Sequence, residues 1–276
     1  MKKITARDIS LRPRRKSSHK GDNGTVLVIG GSEDYVGAPA LVGMSALAVL
    51  RSGADLVTVA APEKVAWTIN AIAPDLITKK IKCANFTPKN VPEVLELANK
   101  ADVVEIGNGI SLTTGAKEFI KLFVEHYRRP LVIDAAALRV VRIQDVSGSV
   151  LLPHAMELKE LLTNSRLSEK ELQVHLGSNV LVKKGHPVTE IISKNKRVIS
   201  CTGNAGMTHG GTGDVLAGIV AGLMAQGNDA FSAACAAAFV NGKAADILYK
   251  KKGFGYLASD FVEVIPFVLK RFQRQT

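Results

Sequence analysis

The sequence predicts an α/β protein with a mostly parallel central sheet and helices packed on both of its faces. Three observations predict it. Short runs of branched aliphatic residues alternate with longer helical stretches, the order of right-handed strand–helix–strand units. Apolar residues make up 46% of the chain, yet aromatics supply only 5% and Trp occurs once, so the core rests on Val, Ile, Leu and Ala, as suits a sheet buried on both faces. Glycine-containing turns follow several of the strands, at the carboxyl ends where open α/β sheets bind ligands.

Taken in order, a basic and irregular opening (residues 1–20) precedes TVLVIGG (Thr25 to Gly31), a buried strand ending in a glycine turn. Ala38 to Ser52 reads as a helix, with Gly53 just past its end. DLVTVA (Asp55 to Ala60) is a second strand, followed by a helix from Pro62. DVVEIG (Asp102 to Gly107) and PLVID (Pro130 to Asp134) are further buried strands, separated by a helix around Thr114 to Tyr127. The spacing then tightens: Asn179 to Lys184, Val188 to Ser193 and Lys196 to Ser200 are short strands, and the last two flank Lys194-Asn195 as an antiparallel hairpin at the sheet edge. Three helices close the chain: Asp214 to Ala225, Asp229 to Lys250 and Ser259 to Arg271. No linker, repeat or low-complexity segment interrupts this order, so residues 1–276 are expected to form one domain.

Lys and Arg number 36 against 25 Asp and Glu, a formal charge of +11 that attracts anions. The basic residues are scattered, with clusters from Arg12 to Lys20 and Lys250 to Lys252, and no motif interleaves them with aromatics for nucleic acid. Small anionic ligands are the better expectation. Cys83, Cys201 and Cys235 stand far apart with no CxxC pair, which supports neither a disulfide framework nor a zinc site. MKKITARDIS lacks the apolar stretch of a signal peptide, and Val215 to Ala225 falls short of the roughly 20 residues of a membrane span, so a cytoplasmic protein is expected.

Four glycine-containing turns should converge at the carboxyl ends of the strands: Gly30 to Ala38, Gly107 to Gly109, Lys183 to Gly185 and Thr202 to Asp214. Standard nucleotide fingerprints are missing: no GxxxxGK[ST] occurs, and neither Gly107-Asn108-Gly109 nor Gly211-Thr212-Gly213 continues to the third glycine of GxGxxG. The most informative stretch is His209-Gly210-Gly211-Thr212-Gly213-Asp214, which runs straight into VLAGIVAGLMA. Glycines there leave backbone donors free at a helix start, a place that binds anions and stabilises negative charge. Asp214 has two readings at this position, an N-cap or a catalytic carboxylate. A cap alone does not require so flexible a loop before it.

TGNAGMTHGGTGDVLAGIVAGL (Thr202 to Leu223) closely resembles the signature of the ADP/ATP-dependent NAD(P)H-hydrate dehydratases, a branch of the ribokinase-like superfamily. The likeness covers nearly the whole chain. Ser18 to Leu41 resembles the family's first strand and loop, RSGADLVTVA its second strand, and VIDAAAL (Val132 to Leu138) is also similar. IGNGI (Ile106 to Ile110) is similar to Ile-Gly-Pro-Gly-Leu with Asn108 in place of Pro, and LLPHAMELKELL (Leu151 to Leu162) resembles a Pro-His-Pro-Gly-Glu segment with Ala155 and Met156 in place of Pro-Gly.

The resemblance implies a ribokinase-like three-layer sandwich and the conversion of hydrated NADH or NADPH back to NAD(P)H, with ADP or ATP as co-substrate and Mg²⁺ at the phosphates. It implies Asp214 as the base and the amides of Gly211, Thr212 and Gly213 as an anion hole. Ala38, Gly109, His154 and Asp214 would face the hydrated cofactor, and Lys184, Gly185, His186, Pro187 and Val188, with Gly213, the adenine nucleotide. Asp134 and Glu157 are candidates to orient Mg²⁺; its ligands are not assigned. Ordinary readings stand beside these: Lys184 as a surface cation, His154 as a structural histidine, Asp134 and Glu157 as strand-end and helix-start carboxylates. The family pattern also implies a homo-oligomer, a tetramer, and a separate epimerase as partner, because the chain carries no epimerase domain. Two other functions share the loop chemistry, a ribokinase-like kinase of a hydroxymethyl or hydroxyethyl heterocycle and a nucleotide-binding sensor without turnover. TGNAGM fits the dehydratase branch better than the kinase, and Asp214 weakens the sensor.

Overall fold

A computed structural model describes residues 1–35 and 37–276; the glycine turn expected over Gly30 to Ala38 includes Val36, which lies outside the described residues. The strands are β1 (Lys2–Lys3), β2 (Thr25–Ile29), β3 (Leu56–Pro62), β4 (Ile77–Ile81), β5 (Val103–Ile106), β6 (Leu131–Ile133), β7 (Val150–Leu151), β8 (Val180–Lys183), β9 (Thr189–Ser193) and β10 (Arg197–Ser200). The helices are α1 (Ala38–Arg51), α2 (Glu63–Ile72), α3 (Val91–Ala98), α4 (Thr114–His126), α5 (Ala135–Leu138), α6 (Ala155–Ser165), α7 (Leu172–His175), α8 (Thr212–Ala225), α9 (Ala230–Lys252) and α10 (Ala258–Leu269).

All ten strands join one sheet in the order β1-β10-β9-β8-β7-β6-β5-β2-β3-β4. Pairing is parallel from β4 through β8, and β9 runs antiparallel to both β8 and β10. The expected hairpin is therefore present toward that edge, where β8, β9 and β10 form a three-stranded meander. The two residues of β1 finish the edge, parallel to β10. Residues 1–20 are more ordered than their composition suggests: Arg14 pairs with Asp55 at 2.7 Å, and its backbone N–H donates to the Arg274 carbonyl.

Side chains alternate across the sheet, and the two faces bury different partners. Val26 and Val28 of β2 point into a layer built with α1, α8, α9 and α10, while Leu27 and Ile29 point into a layer built with α3, α4 and α6. This is the ribokinase-like three-layer sandwich. The second layer holds a short aromatic stack, Phe86, Phe119, Phe123 and Tyr127, which concentrates much of the scarce aromatic content at α4. In the first layer α1 and α8 approach so closely that a Cβ on Gly218 would lie 2.1 Å from the Ser45 carbonyl oxygen.

Strands β1, β4 and β7 and helices α3, α5 and α7 lie outside the sequence expectation. β1 and β7 have two residues each, too few to show a period of two, and β4 reads ITKKI, with lysines that disguise a strand at the sheet's edge.

Candidate functional site

Helix α8 begins at Thr212, with Gly211 as its N-cap at φ 94°. A Cβ on Gly211 would lie 2.8 Å from Met44 Cε and 2.9 Å from Ala258 Cβ, so both the positive φ and the close packing demand glycine. Thr212 Oγ1 donates to the Met207 carbonyl at 2.8 Å and locks the loop to the helix start. The first amides of α8 have no partner within the helix and face outward with its positive end.

Asp214 is the third residue of α8, not its cap. Its pKa is pushed up to about 6, first by burial and then by the nearby Asp134 carboxylate, against the opposing pull of Lys184. A carboxylate tuned close to neutrality is suited to taking a proton.

Three further elements bring charge to the same place. Asp134 follows β6, is only 2% exposed, and its Oδ1 is 2.5 Å from Lys184 Nζ. Lys184 follows β8 and is anchored by its backbone N–H donating to the Pro153 carbonyl at 2.9 Å. Glu157 in the first turn of α6 places Oε2 3.7 Å from the same ammonium. Burial pulls the Lys184 pKa down, but Asp134 and Glu157 outweigh it and the value ends above that of an ordinary lysine. Burial pushes Glu157 up, and Lys184 only partly offsets that. An ideal Cβ on Gly213 would lie 3.3 Å from Lys184 Nζ and 3.9 Å from Asp134 Oδ2, which sets this cluster against the open end of α8.

His154 is the N-cap of α6. Its Nδ1 accepts from the amides of Met156 (3.1 Å) and Glu157 (3.3 Å), while its backbone N–H donates to Glu157 Oε2 (2.8 Å). The ring therefore has a structural task whatever else it touches, and its side chain remains about half exposed.

His154, Lys184, Gly185, His186, Pro187, Thr212 and Gly213 line one cavity of about 300 Å³. Val188 does not line it, although the next residue, Thr189, does. The His186–Pro187 peptide in this wall is cis. Ala38 and Gly109 come together elsewhere: a Cβ on Gly109 (φ 67°) would sit 2.9 Å from Ala38 Cβ and 3.3 Å from Gly31 Cα. The Gly31 amide donates to the Asn108 carbonyl at 2.9 Å, joining the turns after β2 and β5.

Asn204 and Asn241 also line the cavity and were not anticipated. Asn204 Nδ2 and Asn241 Oδ1 are buried with no hydrogen-bond partner among the described residues. The available signal for Asn241 was a lone amide amid the alanines of α9. A larger groove of about 1100 Å³, between the N-terminal segment, α9 and α10, contains none of the glycine-loop residues or the charges around Lys184.

A metal ion at this site would rely on Asp134 and Glu157, whose hard oxygen donors suit Mg²⁺. Among the described residues no three acidic, His or Cys side chains gather into a metal cage. The donor set thus fits an ion held mainly by water and phosphate oxygens.

The model of the NAD(P)H-hydrate dehydratase family matches residues 26–267. The chain belongs to that family. Among curated members, the bifunctional NAD(P)H-hydrate repair enzyme Nnr of Methanocaldococcus jannaschii is 39% identical over 267 residues, covering 96% of this chain and 52% of that protein. The chain thus spans about half the length of the bifunctional repair enzymes it matches. The ADP-dependent (S)-NAD(P)H-hydrate dehydratase of Cenarchaeum symbiosum is 34% identical, with 95% of this chain and 93% of that protein covered. A ribokinase-like superfamily protein of Enterococcus faecalis superposes with a TM-score of 0.82 at 26% identity, covering 99% of this chain and 96% of that one. The Bacillus subtilis ADP/ATP-dependent NAD(P)H-hydrate dehydratase, co-crystallised with ATP/Mg²⁺, gives 0.77 at 23% identity, covering 96% and 95%.

Proposed function

We propose that this chain dehydrates hydrated NADH or NADPH to NAD(P)H at the expense of ADP or ATP. The observation that carries the reading is Asp214, a half-buried carboxylate with its pKa pushed up to about 6, set in the first turn of α8 beside the glycine loop. Membership of the dehydratase family supports the substrate class.

Hydroxide leaves the hydrated ring poorly, and a phosphorylated hydroxyl leaves well. Asp214 takes the hydroxyl proton as the oxygen attacks the nucleotide's terminal phosphorus. The amides of Gly211, Thr212 and Gly213 stabilise the charge spread over the transferring group. The ring nitrogen then expels phosphate to leave an iminium ion, and loss of a proton from the adjacent ring carbon to water or the departing phosphate restores the dihydronicotinamide. Lys184 orients the donor phosphates, Gly185 to Pro187 flank the nucleotide at the cavity, and Val188 backs them from outside its wall. Ala38, Gly109 and His154 contact the hydrated cofactor. Mg²⁺, when bound with nucleotide, neutralises phosphate charge, and Asp134 and Glu157 would hold it through water. A cytoplasmic homo-oligomer served by a separate epimerase completes the reading; among the described residues no helix is long and apolar enough to cross a membrane.

The test is incubation of the purified chain with hydrated NADH or NADPH, Mg²⁺ and ADP or ATP in turn, following recovery of dihydronicotinamide absorbance. Recovery dependent on nucleotide and Mg²⁺ is expected. A stable phosphorylated vitamin precursor, with no recovery of NAD(P)H, would reassign the chain as a kinase; nucleotide binding without turnover would make it a sensor.

A further inference from the structure

Strand β5 lies between β2 and β6, deep in the sheet, and its sequence VVEI contains one charged residue. Glu105 is fully buried. Its Cα partners are Val28 and Val132, and both pack in the layer with α1 and α8. An ionised carboxylate is expensive in such a place unless a cation pairs with it. The charges that act on Glu105 are Asp134, after β6, and Asp214, on α8, and both are negative. Burial first, and then those two carboxylates, push its pKa well above the usual range, against a hydrogen bond from Ser45.

The hydrogen bonds are one-sided. Ser45 Oγ of α1 donates to Glu105 Oε1 at 2.5 Å, and Asn108 Nδ2 donates to the same oxygen at 2.9 Å. Glu105 Oε2 and Asn108 Oδ1 are both buried and have no partner among the described residues. One carboxyl and one carboxamide, already joined through Oε1 and Nδ2, thus leave two acceptors facing no donor. A single added proton resolves both deficits.

We infer that Glu105 is a neutral carboxylic acid whose proton joins Oε2 to Asn108 Oδ1, and that this acid–amide pair positions the Gly107–Gly109 turn for the hydrated cofactor. The pair forms a closed ring, Nδ2–H to Oε1 and Oε2–H to Oδ1. The turn it supports has little slack. The Asn108 backbone carbonyl accepts from the Gly31 amide, a Cβ on Gly107 would lie 1.9 Å from the Asp134 backbone carbonyl oxygen, and Gly109 abuts Ala38. Asn108 stands where the resembled motif has proline, whose ring would fix the backbone. Here a side-chain latch from the strand below holds it. Glu105 is a positioning residue that acts through Asn108, and its role rests on the reading that Ala38 and Gly109 face the hydrated cofactor.

The experiment compares Glu105→Gln and Glu105→Leu in the full chain. Gln has the shape and donor–acceptor pattern of a neutral acid, so it should retain KM for the hydrate, whereas Leu leaves the Asn108 amide unpaired. For Leu the KM for hydrated NADH should rise ~10-fold, as expected for loss of about one buried hydrogen bond, while the KM for nucleotide stays unchanged. The infrared difference spectrum, wild type minus Glu105→Gln at pH 8, should show the carbonyl band of a protonated carboxyl. Absence of that band overturns the inference. So does a Gln variant as impaired as Leu, which would mean that the ionised form is required, or a Leu variant with unchanged KM for the hydrate. If Leu does not fold, the Gln variant and the infrared band decide. If the wild type regenerates no NAD(P)H, the proposed function fails instead, and the band still tests the neutral acid.

Discussion

Lys184 Nζ lies 2.5 Å from Asp134 Oδ1, and that ion pair is only 19% and 3% exposed at its two side chains. It joins the end of β8 to the end of β6 beneath the first turn of α8. A cation so placed compensates Asp134, holds down the pKa of Asp214, and presents positive charge to a phosphate.

Lys184→Ala therefore has two expected effects. The KM for nucleotide should rise roughly tenfold, for loss of a charge-assisted contact, with a smaller change for the hydrate. Stability should fall by about 2 to 3 kcal/mol, below the usual cost of breaking a buried pair because Lys184 keeps some solvent contact. Steady-state kinetics and urea denaturation measure the two. An unchanged nucleotide KM would remove Lys184 from the donor site and leave it a structural cation.

The pH dependence follows from Asp214. Its carboxylate must be ionised to accept a proton, so kcat/KM should rise with pH through about 6 and then level off. Lys184→Ala removes the cation that opposes the upward shift, and the rising limb should move to higher pH. Stability runs the other way. Because the folded pKa exceeds the unfolded value near 3.8, the folded state binds more proton between the two, and stability falls as pH rises through that window. An Asp214→Asn variant should lose that part of the slope in denaturation measured from pH 4 to pH 7.

Gly213→Ala separates the cluster's geometry from the fold. The φ of Gly213 is not in the left-handed region, and alanine within a helix gains up to about 1 kcal/mol over glycine, less in the first turn. Thermal stability should thus hold or improve. The new Cβ would stand 3.3 Å from Lys184 Nζ, and the ammonium must shift from the helix start. An increase of roughly tenfold in nucleotide KM at unchanged stability is expected, since small misplacements at a reacting centre are costly. Wild-type kinetics would show that the Lys184 position against α8 is not needed.

Much of this site was legible because its signals are local. Glycines before an apolar helix mark a helix start with free donors, and the placing of Gly211 at positive φ agrees with that reading. The long strands β2 and β3 carry enough residues to show burial directly. What escaped depends on contacts distant in sequence. Asn241 is the one carboxamide side chain in a 23-residue helix, and only the fold turns it toward Thr212, whose carbonyl oxygen lies 3.4 Å from its Nδ2. Glu105 reads as part of an apolar strand, and its pairing with Ser45 spans 60 positions. His154 shows the reverse case. Its capping bonds lie within three residues, yet histidine is an unusual cap and composition does not flag it.

Asp214→Asn is the sharpest of these tests, because structure and chemistry predict opposite outcomes for fold and rate. Gly211 occupies the cap position, so Asp214 is not needed to begin α8. Asn is close to Asp in size and carries no charge to bury, so stability should be unchanged, or higher above pH 6 where the wild type holds an ionised carboxylate beside Asp134. The glycine-loop amides and Lys184 remain, so nucleotide should still bind with near-wild-type affinity. The variant cannot accept the hydroxyl proton, and losing a general base costs about 10²- to 10⁴-fold in rate. A folded protein that binds ADP or ATP but whose kcat falls by that factor is the expected result, read from calorimetric titration and single-turnover kinetics together. A kcat near the wild-type value would exclude Asp214 as the base and leave it a half-buried acid of the first turn.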